Sequence, residues 1–178
     1  MRRVVWREGR LLRVDLPDGA CALAQMLREP YVVFFDAFAD APDAFADAAA
    51  SAEAARRARA LFVVGVVRQF LRECCAALDA RVAPLAAVPT RWMRPLMRAG
   101  VGFRGADLIE IDPVAGHTGA EPPITADLQG ARHRAVIEAH EFVNLRGAPE
   151  LAERLLACRA AGRNVDWFKA RVFGLDGA

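Results

Sequence analysis

Several residue types that serve common catalytic chemistries are nearly absent from this sequence. Ser51 is the only serine and lies in an alanine-rich stretch, so a serine nucleophile is not expected. The four cysteines show no CxxC spacing, which argues against a zinc site and predicts free thiols in a reducing compartment. We interpret the vicinal pair Cys74 and Cys75 as two incidental thiols rather than a redox switch. Lys169 is the only lysine, so arginine supplies nearly all the positive charge.

Long apolar segments are also missing. No apolar run reaches the ~18 residues of a candidate membrane span, and the longest, residues 60–67, ends at Arg68. The N-terminal stretch MRRVVWREGR is basic but lacks the apolar segment and cleavage site of a secretory signal. We therefore expect a cytoplasmic protein with no membrane partner.

Recognisable catalytic and cofactor motifs are lacking as well. GVGFRG at residues 100–105 resembles a glycine-rich phosphate loop, but it has no following lysine and no strand-to-helix context. His133 and His140 would share one face of a helix and could bind a metal with Glu141, whereas on a strand they would point to opposite faces. No further ligand is evident for such a site. The sequence thus predicts no catalytic residue, no metal and no cofactor, and we expect a protein that is not an enzyme.

The N-terminal segment, residues 9–36, predicts three strands joined by two turns. Leu12, Val14 and Leu16 recur at every second position, as in a strand with one face toward a core. The run Pro17-Asp18-Gly19 then predicts a tight reversal. Residues 20–27 follow as a second strand, and the β-branched and aromatic residues 31–35 are typical of a strand covered on both faces. Three consecutive antiparallel strands make a curled meander, the start of a small barrel.

The rest of the chain alternates between helix and strand signals. The expected elements are a helix of roughly 15 residues between Pro42 and Ala60, a central strand within 61–71, a helical turn within 84–105, a strand over 107–111, a loop over 114–130 and a helix from Pro149 to Gly162. Residues 73–82 stay open between a short helix and an irregular connection. In the last helix, Leu151, Leu155 and Cys158 form an apolar stripe.

These signals together predict a single domain over residues 1–178 of the α+β class. Its sheet is a curled antiparallel sheet or a small, partly open barrel, made of the N-terminal three-strand meander plus later strands. Two or three helices pack on that sheet, including the C-terminal amphipathic helix.

Charged residues cluster locally although the formal net charge of +2 is close to neutral. Residues 36–43 are acidic and would face a basic partner surface. Residues 91–94 place two arginines beside a tryptophan, a combination that suits phosphates or an acidic partner. For both stretches, a solvated surface is the alternative interpretation. The candidate partner-binding residues are Asp36, Asp40, Asp43, Arg91, Trp92 and Arg94.

Both ends of the chain carry the patterns of a known family. WREGRLLRVDLPDGACALAQML, followed by PYVVFFD, contains a glycine, a strand, a DG turn, a second strand and a third strand that ends in an aromatic residue and an aspartate. Near the other end, ERL at residues 153–155 precedes Gly162, Asn164 and Trp167. In these stretches the chain resembles the immunity protein 26 family, whose bacterial members neutralise the toxins of polymorphic toxin systems. The middle of the chain, residues 73–131, shows little that matches.

The resemblance implies a non-enzymatic protein that binds a cognate toxin and occludes its active site or a surface that the toxin needs. The acidic or the basic candidate residues would supply the contacts. Two other functions stay open: an acyltransferase-like enzyme that holds CoA with the strand at 63–67 and the region 68–105, or a small-barrel nucleic-acid-binding protein that uses Trp92 and nearby arginines. Toxin binding ranks first and nucleic acid last, and no oligomeric state is predicted.

Overall fold

The computed structural model describes residues 4–175 and shows an α+β fold, as predicted. Within these residues eight strands form two antiparallel sheets, and neither sheet closes into a barrel. The chain forms two compact units: unit 1 contains Met1–Val88 and Leu145–Val165, and unit 2 contains Pro89–Asn144 and Asp166–Ala178. The single domain over residues 1–178 stays a prediction.

The described elements follow one another in chain order. The strands are β1 (Arg10–Asp15), β2 (Cys21–Met26), β3 (Tyr31–Ala39), β4 (Ala60–Gly65), β5 (Cys75–Arg81), β6 (Arg91–Arg98), β7 (Gly102–Glu110) and β8 (Pro123–Leu128). The α-helices are α1 (Ala48–Arg57), α2 (Arg68–Cys74), α3 (Arg134–Ala139), α4 (Ala148–Ala161) and α5 (Trp167–Phe173), and a 3-10 helix spans Pro42–Phe45. Unit 1 contains β1 to β5 with α1, α2 and α4, and unit 2 contains β6 to β8 with α3 and α5.

Unit 1 is built on a five-stranded antiparallel sheet of order β4-β3-β2-β1-β5. The predicted meander, β1 to β3, lies at its centre. The first reversal is confirmed: Gly19 has a φ of +87°, which glycine adopts without steric cost, and Asp18 Oδ1 accepts a 3.0 Å hydrogen bond from the Ala20 N–H. β4 pairs with β3 as expected but lies at an edge of the sheet, not in the centre. β5 forms the other edge, from residues whose conformation the sequence left open.

The predicted helix between Pro42 and Ala60 is in fact two shorter helices. Pro42 begins the 3-10 helix, and α1 starts only after Asp47, whose side chain accepts a hydrogen bond from the Ala50 N–H. An aspartate in this position satisfies a free N–H of the first helical turn and therefore starts a new helix. The strand predicted within residues 61–71 is likewise shorter than expected, because β4 ends at Gly65 and α2 follows.

The core of unit 1 lies between the sheet and the helices α2 and α4. Phe34 is fully buried and stacks on Phe62 with 4.9 Å between the ring centroids. Leu151, Leu155 and Cys158 of α4 belong to the same core, which confirms the predicted apolar stripe. α4, the predicted C-terminal amphipathic helix, thus covers this face of the sheet together with α2.

A buried guanidinium group fixes the chain after α4. The helix ends, as predicted, at Gly162 with a φ of +61°. Arg154 Nη2 donates to Asn164 Oδ1 at 2.9 Å and Nε donates to Val165 O at 3.2 Å. The guanidinium carbon lies 3.8 Å from the centroid of the Phe62 ring, within the range of a cation–π contact. Arg154 therefore ties the segment that follows the helix to the helix itself.

Unit 2 contains the antiparallel sheet of order β6-β7-β8. β6 replaces the helical turn predicted within 84–105, and β8 lies inside the predicted loop 114–130, so both predictions are wrong at these residues. The strand predicted over 107–111 is confirmed as part of the longer β7. β6 is rich in arginine, methionine and leucine, which favour helices, and its pairing with β7 overrides that preference.

The interior of unit 2 combines a small apolar core with an ion pair. The core includes Met93, Ile137, Phe142 and Phe168. Lys169 Nζ lies 3.2 Å from Glu141 Oε1, and both side chains are at most a tenth exposed. Buried charges are tolerated only when a partner of opposite sign compensates their lost hydration. The only lysine of the chain is therefore part of the interior of this unit.

Candidate functional site

The three acidic candidates lie in one segment of unit 1, in the second half of β3 and just after it, and we call this set of residues the acidic patch: Asp36, Asp40 and Asp43. Asp36 lies in the second half of β3 and pairs with Arg59 at 2.8 Å. Asp40 directly follows β3, and its side chain is 90% exposed. Asp43 lies in the 3-10 helix, and its side chain makes no hydrogen bond or ion pair within residues 4–175. The acidic residues that the sequence singled out thus share one short segment but differ in their partners.

Arg159 connects Asp40 of the acidic patch to the rest of unit 1. From the last turn of α4, Arg159 Nη1 donates to Asp18 Oδ2 at 2.9 Å, and Nη2 donates to Asp40 Oδ1. Asp18 lies in the turn between β1 and β2, so one guanidinium group joins a helix end, a turn and the end of a strand. Exposed pairs of this kind contribute little free energy, but a shared guanidinium restricts the positions of both carboxylates.

Side chains of β1 and β2 also hold the backbone of the segment that carries the acidic patch. Arg13 Nη1 donates to Pro42 O at 3.2 Å, and Cys21 Sγ donates to Ala41 O at 3.3 Å. A hydrogen bond to Asp15 raises the pKa of the Arg13 guanidinium, which keeps its charge. Burial raises the pKa of the Cys21 thiol, so it stays protonated and able to donate. The segment that carries Asp40 and Asp43 is therefore fixed to the sheet rather than loose.

The basic candidates all belong to β6 of unit 2, but they have different surroundings. Arg91 is exposed, and its Nε lies 4.0 Å from Glu110 Oε1. Trp92 is 1% exposed, and its Nε1 donates to Pro89 O at 2.9 Å. Its ring therefore belongs to the interior and offers no contact surface to a partner. Arg94 is three-quarters buried and pairs with Asp107 at 3.0 Å.

Arg94 fixes a loop that precedes β8. Its Nη1 donates to Gly119 O at 3.3 Å and to Glu121 O at 3.1 Å. The Glu121 carboxylate accepts from Thr118 N–H at 2.6 Å and from its hydroxyl at 2.9 Å, and it lies 2.8 Å from His117 Nδ1. These hydrogen bonds, above all the one from the Thr118 N–H, lower the pKa of Glu121 to about 2. Arg94 thus has a structural role inside unit 2.

The remaining histidines and cysteines have structural surroundings. His133 Nδ1 accepts from the Gln129 N–H at 2.9 Å, and His140 Nδ1 lies 2.8 Å from Val136 O. Within residues 4–175, no group of three or more His, Cys, Asp or Glu side chains is placed to hold a metal ion. Burial raises the pKa of both Cys74 and Cys75, which disfavours the reactive thiolate.

The run from Arg98 to Gly105, the only support for a CoA site, has the geometry of a hairpin. Gly100 has a φ of +73° in the turn between β6 and β7, and Gly102 begins β7. No helix follows it directly, so its amides do not form the strand-to-helix loop that binds phosphates in known nucleotide sites.

The fold and these surfaces define an α+β protein with two antiparallel sheets and an acidic patch anchored on the first of them. The chain belongs to the family described as Domain of unknown function (DUF8309), whose model matches residues 1–176. No curated protein and no solved structure matches it. Among the described residues, none of the helices has the length and apolar character needed to cross a membrane.

Sequence reasoning missed the residues that organise the acidic patch. Arg159 lies at the end of the predicted C-terminal helix, and its partners Asp18 and Asp40 lie 141 and 119 positions away. Arg13 lies between apolar residues of the predicted first strand, and no local pattern indicates its contact with Pro42 O. A pattern of acidic residues can be read locally, but the arginines that meet it come together only through the fold.

Proposed function

We propose that this protein is a non-enzymatic binding module that neutralises a cognate bacterial toxin in the cytoplasm by covering a basic surface of that toxin with the acidic patch. The observation that carries the proposal is the presentation of Asp40 and Asp43: one side chain is 90% exposed, the other has no ionic partner within the described residues, and both lie on an anchored segment. The resemblance to immunity proteins supports the same function.

The electrostatics of the patch favour rapid capture of a basic partner. Complementary charge raises association rates by about ten-fold to a thousand-fold at low salt. Arg59 and Arg159 pair with Asp36 and Asp40, whereas the Asp43 side chain has no ionic partner within residues 4–175. A partner that brings its own arginines or lysines can compete for Asp40, because exposed pairs are weak.

Rigid presentation favours affinity as well as rate. A segment that is already ordered loses less conformational entropy when a partner binds. The contacts of Arg13 with Pro42 and of Cys21 with Ala41 supply that order before binding. Phe45, the last residue of the 3-10 helix, is buried, and this burial keeps the helix on the sheet.

The experiment co-expresses the protein with the product of the gene that neighbours its own. We expect the neighbour to arrest growth of the host, co-expression to restore growth, and the two proteins to co-purify. A harmless neighbour that does not co-purify would overturn the assignment to toxin neutralisation.

The contact surface is tested on the purified complex. We expect the double variant Asp40→Asn, Asp43→Asn to lower the association rate constant about ten-fold at low salt, with a smaller effect at high salt. Asp79→Asn is the matched control, since Asp79 is an exposed aspartate on β5 of the same unit. A complex that forms equally fast with the double variant would exclude the acidic patch while leaving toxin neutralisation intact.

A further inference from the structure

A cleft of about 380 Å³ lies in unit 2 beside the hairpin of residues 98–105, and none of the six candidate partner-binding residues lines it. Residues from β6, β7, the end of β8 and the end of α5 line it: Arg98, Arg104, Gly105, Asp127, Leu128, Gln129, Gly130, Val172, Phe173 and Gly174. Its volume lies within the range of roughly 300–1,000 Å³ that is usual for small-molecule sites. Polar groups supply most of its exposed lining, and of its large apolar side chains only Phe173 is not fully buried.

Two guanidinium groups supply the charge. Arg98 Nε donates to Arg104 O at 3.3 Å, and Arg98 Nη2 donates to Asp127 Oδ1 at 2.7 Å. Arg104 Nη1 donates to Arg171 O at 2.7 Å, near the end of α5. Within residues 4–175 the other N–H groups of Arg98 and Arg104 have no hydrogen-bond partner. Some N–H groups of each guanidinium therefore fix the side chain, and the others stay available to donate to a ligand.

Asp127 orients this arrangement but does not cancel its charge. It is the only acidic residue that lines the cleft, against two arginines, so the lining keeps a positive charge. Its φ is +48°, and its N–H donates to Asp107 Oδ1 at 3.0 Å. A left-handed backbone at a residue other than glycine costs free energy and persists where the surroundings enforce it. The partner of Arg98 is thus held in place by the fold.

Two glycines fix the shape of the cleft. A Cβ atom on Gly105 would lie 2.9 Å from Asp127 Oδ1, and Gly105 has a φ of +73°. A Cβ atom on Gly130 would lie 2.5 Å from Phe173 O, a distance that side chains do not adopt. The backbone therefore packs more closely around this cleft than any other residue type at these two positions would allow.

We infer that the cleft binds a small anion in which a phosphoryl or carboxylate group is attached to an apolar body. Arg98 and Arg104 would donate to the oxygen atoms of the anion, since the fork of a guanidinium group matches both kinds of group. Phe173, which is only partly buried, would contact the apolar body, whereas Leu128 and Val172 belong to the buried core behind it. This site is independent of the acidic patch, and neither proposal requires the other.

The test is an NMR titration of the full chain at constant ionic strength with phenyl phosphate, inorganic phosphate, benzoate and phenol. We expect phenyl phosphate or benzoate to shift the amide signals of Gly105, Gln129 and Gly130 in a saturable way. Phenol lacks the anionic group, and inorganic phosphate lacks the apolar body. Both should therefore bind at least ten-fold more weakly than the preferred probe. The stronger of phenyl phosphate and benzoate identifies the kind of oxyanion.

Variants locate the binding. We expect Arg104→Gln to weaken binding of the preferred probe at least ten-fold. Arg98→Gln serves as a second variant, because loss of the contact between Arg104 and Arg171 O could disturb α5. Arg134→Gln is the matched control: Arg134 is an exposed arginine of the same unit that pairs with Glu138 and does not line the cleft.

Two results would overturn the inference. One is the absence of saturable shifts with both phenyl phosphate and benzoate up to roughly 10 mM, a concentration that detects even weak sites. The other is an equal loss of binding in Arg134→Gln and in the two cleft variants, which would indicate a general effect of net charge.

Discussion

Unit 1 and unit 2 both place helices on an antiparallel sheet, but they differ in how much apolar material holds them together. Within residues 4–175, the apolar cluster between the sheet and the helices α2 and α4 of unit 1 contains nineteen buried residues, and the cluster around Phe142 in unit 2 contains eight. Unit 2 places the ion pair of Lys169 and Glu141 in its interior and fixes a loop through Arg94. A small core buries a smaller fraction of its surface, so polar contacts decide more of its stability. We therefore expect unit 2 to depend on individual charged residues to a greater degree than unit 1.

The largest effect should follow from removal of the buried ammonium group. Lys169→Met removes the ammonium group that lies 3.2 Å from the buried Glu141 carboxylate, and we expect a loss of about 3–5 kcal/mol in the free energy of unfolding. Chemical denaturation, with hydrogen exchange to locate the loss in unit 2, measures it.

The double variant Lys169→Met, Glu141→Leu is the control for that measurement. It removes both charges, and we expect it to be more stable than the single variant because no uncompensated charge stays buried. A single variant that loses less than about 1 kcal/mol would contradict the dependence of unit 2 on this pair.

A smaller effect is expected for the surface pair in unit 1. Arg159→Met removes the contacts with Asp18 and Asp40, of which the Asp40 side chain is 90% exposed. We expect a loss of at most about 1 kcal/mol, since water and salt screen such pairs. The same denaturation experiment measures it. A loss similar to that of Lys169→Met would remove the contrast between the two units.

The smallest effect should be local and dependent on pH. The pKa of Glu121 is lowered from 4.5 to about 2, first by the hydrogen bond from the Thr118 N–H and then by those from its own N–H and the Thr118 hydroxyl and by nearby His117. A carboxyl group with a lowered folded-state pKa stabilises its loop above pH 4.5, and that contribution is lost as the pH falls toward 2. An NMR titration of Glu121 should give a midpoint near 2, with the Thr118 amide following it. Glu121→Gln should abolish this transition, and a Glu121 midpoint near 4.5 would contradict the geometry.

The parts of the fold that could be predicted are those with local signals. The turn at Asp18 and Gly19 and the helix that ends at Gly162 depend on residue types whose preferences act over a few positions. β6 and β8 could not be found in this way. β6 contains good helix formers and Pro95, and only its pairing with β7 makes it a strand.

The candidate site residues likewise differ in how far local sequence signals could predict their surroundings. The acidic character of residues 36–43 is visible in the sequence, and the fold keeps these residues at the surface. The sequence equally favoured Trp92 and Arg94, but exposure is set by packing on both faces of a strand and by partners such as Asp107. Local composition does not contain that information.

Arg154 has a consequence for how proteins of this kind can diverge. Its side chain donates to Asn164 just after Gly162, and these residues fasten the chain behind α4. Asp40 and Asp43 contribute nothing to that fastening. Residues 40 and 43 can therefore change while the contacts behind α4 persist. We expect two proteins that share those contacts to be able to recognise different targets. A graft of residues 40–43 between such proteins should then transfer recognition without refolding the host.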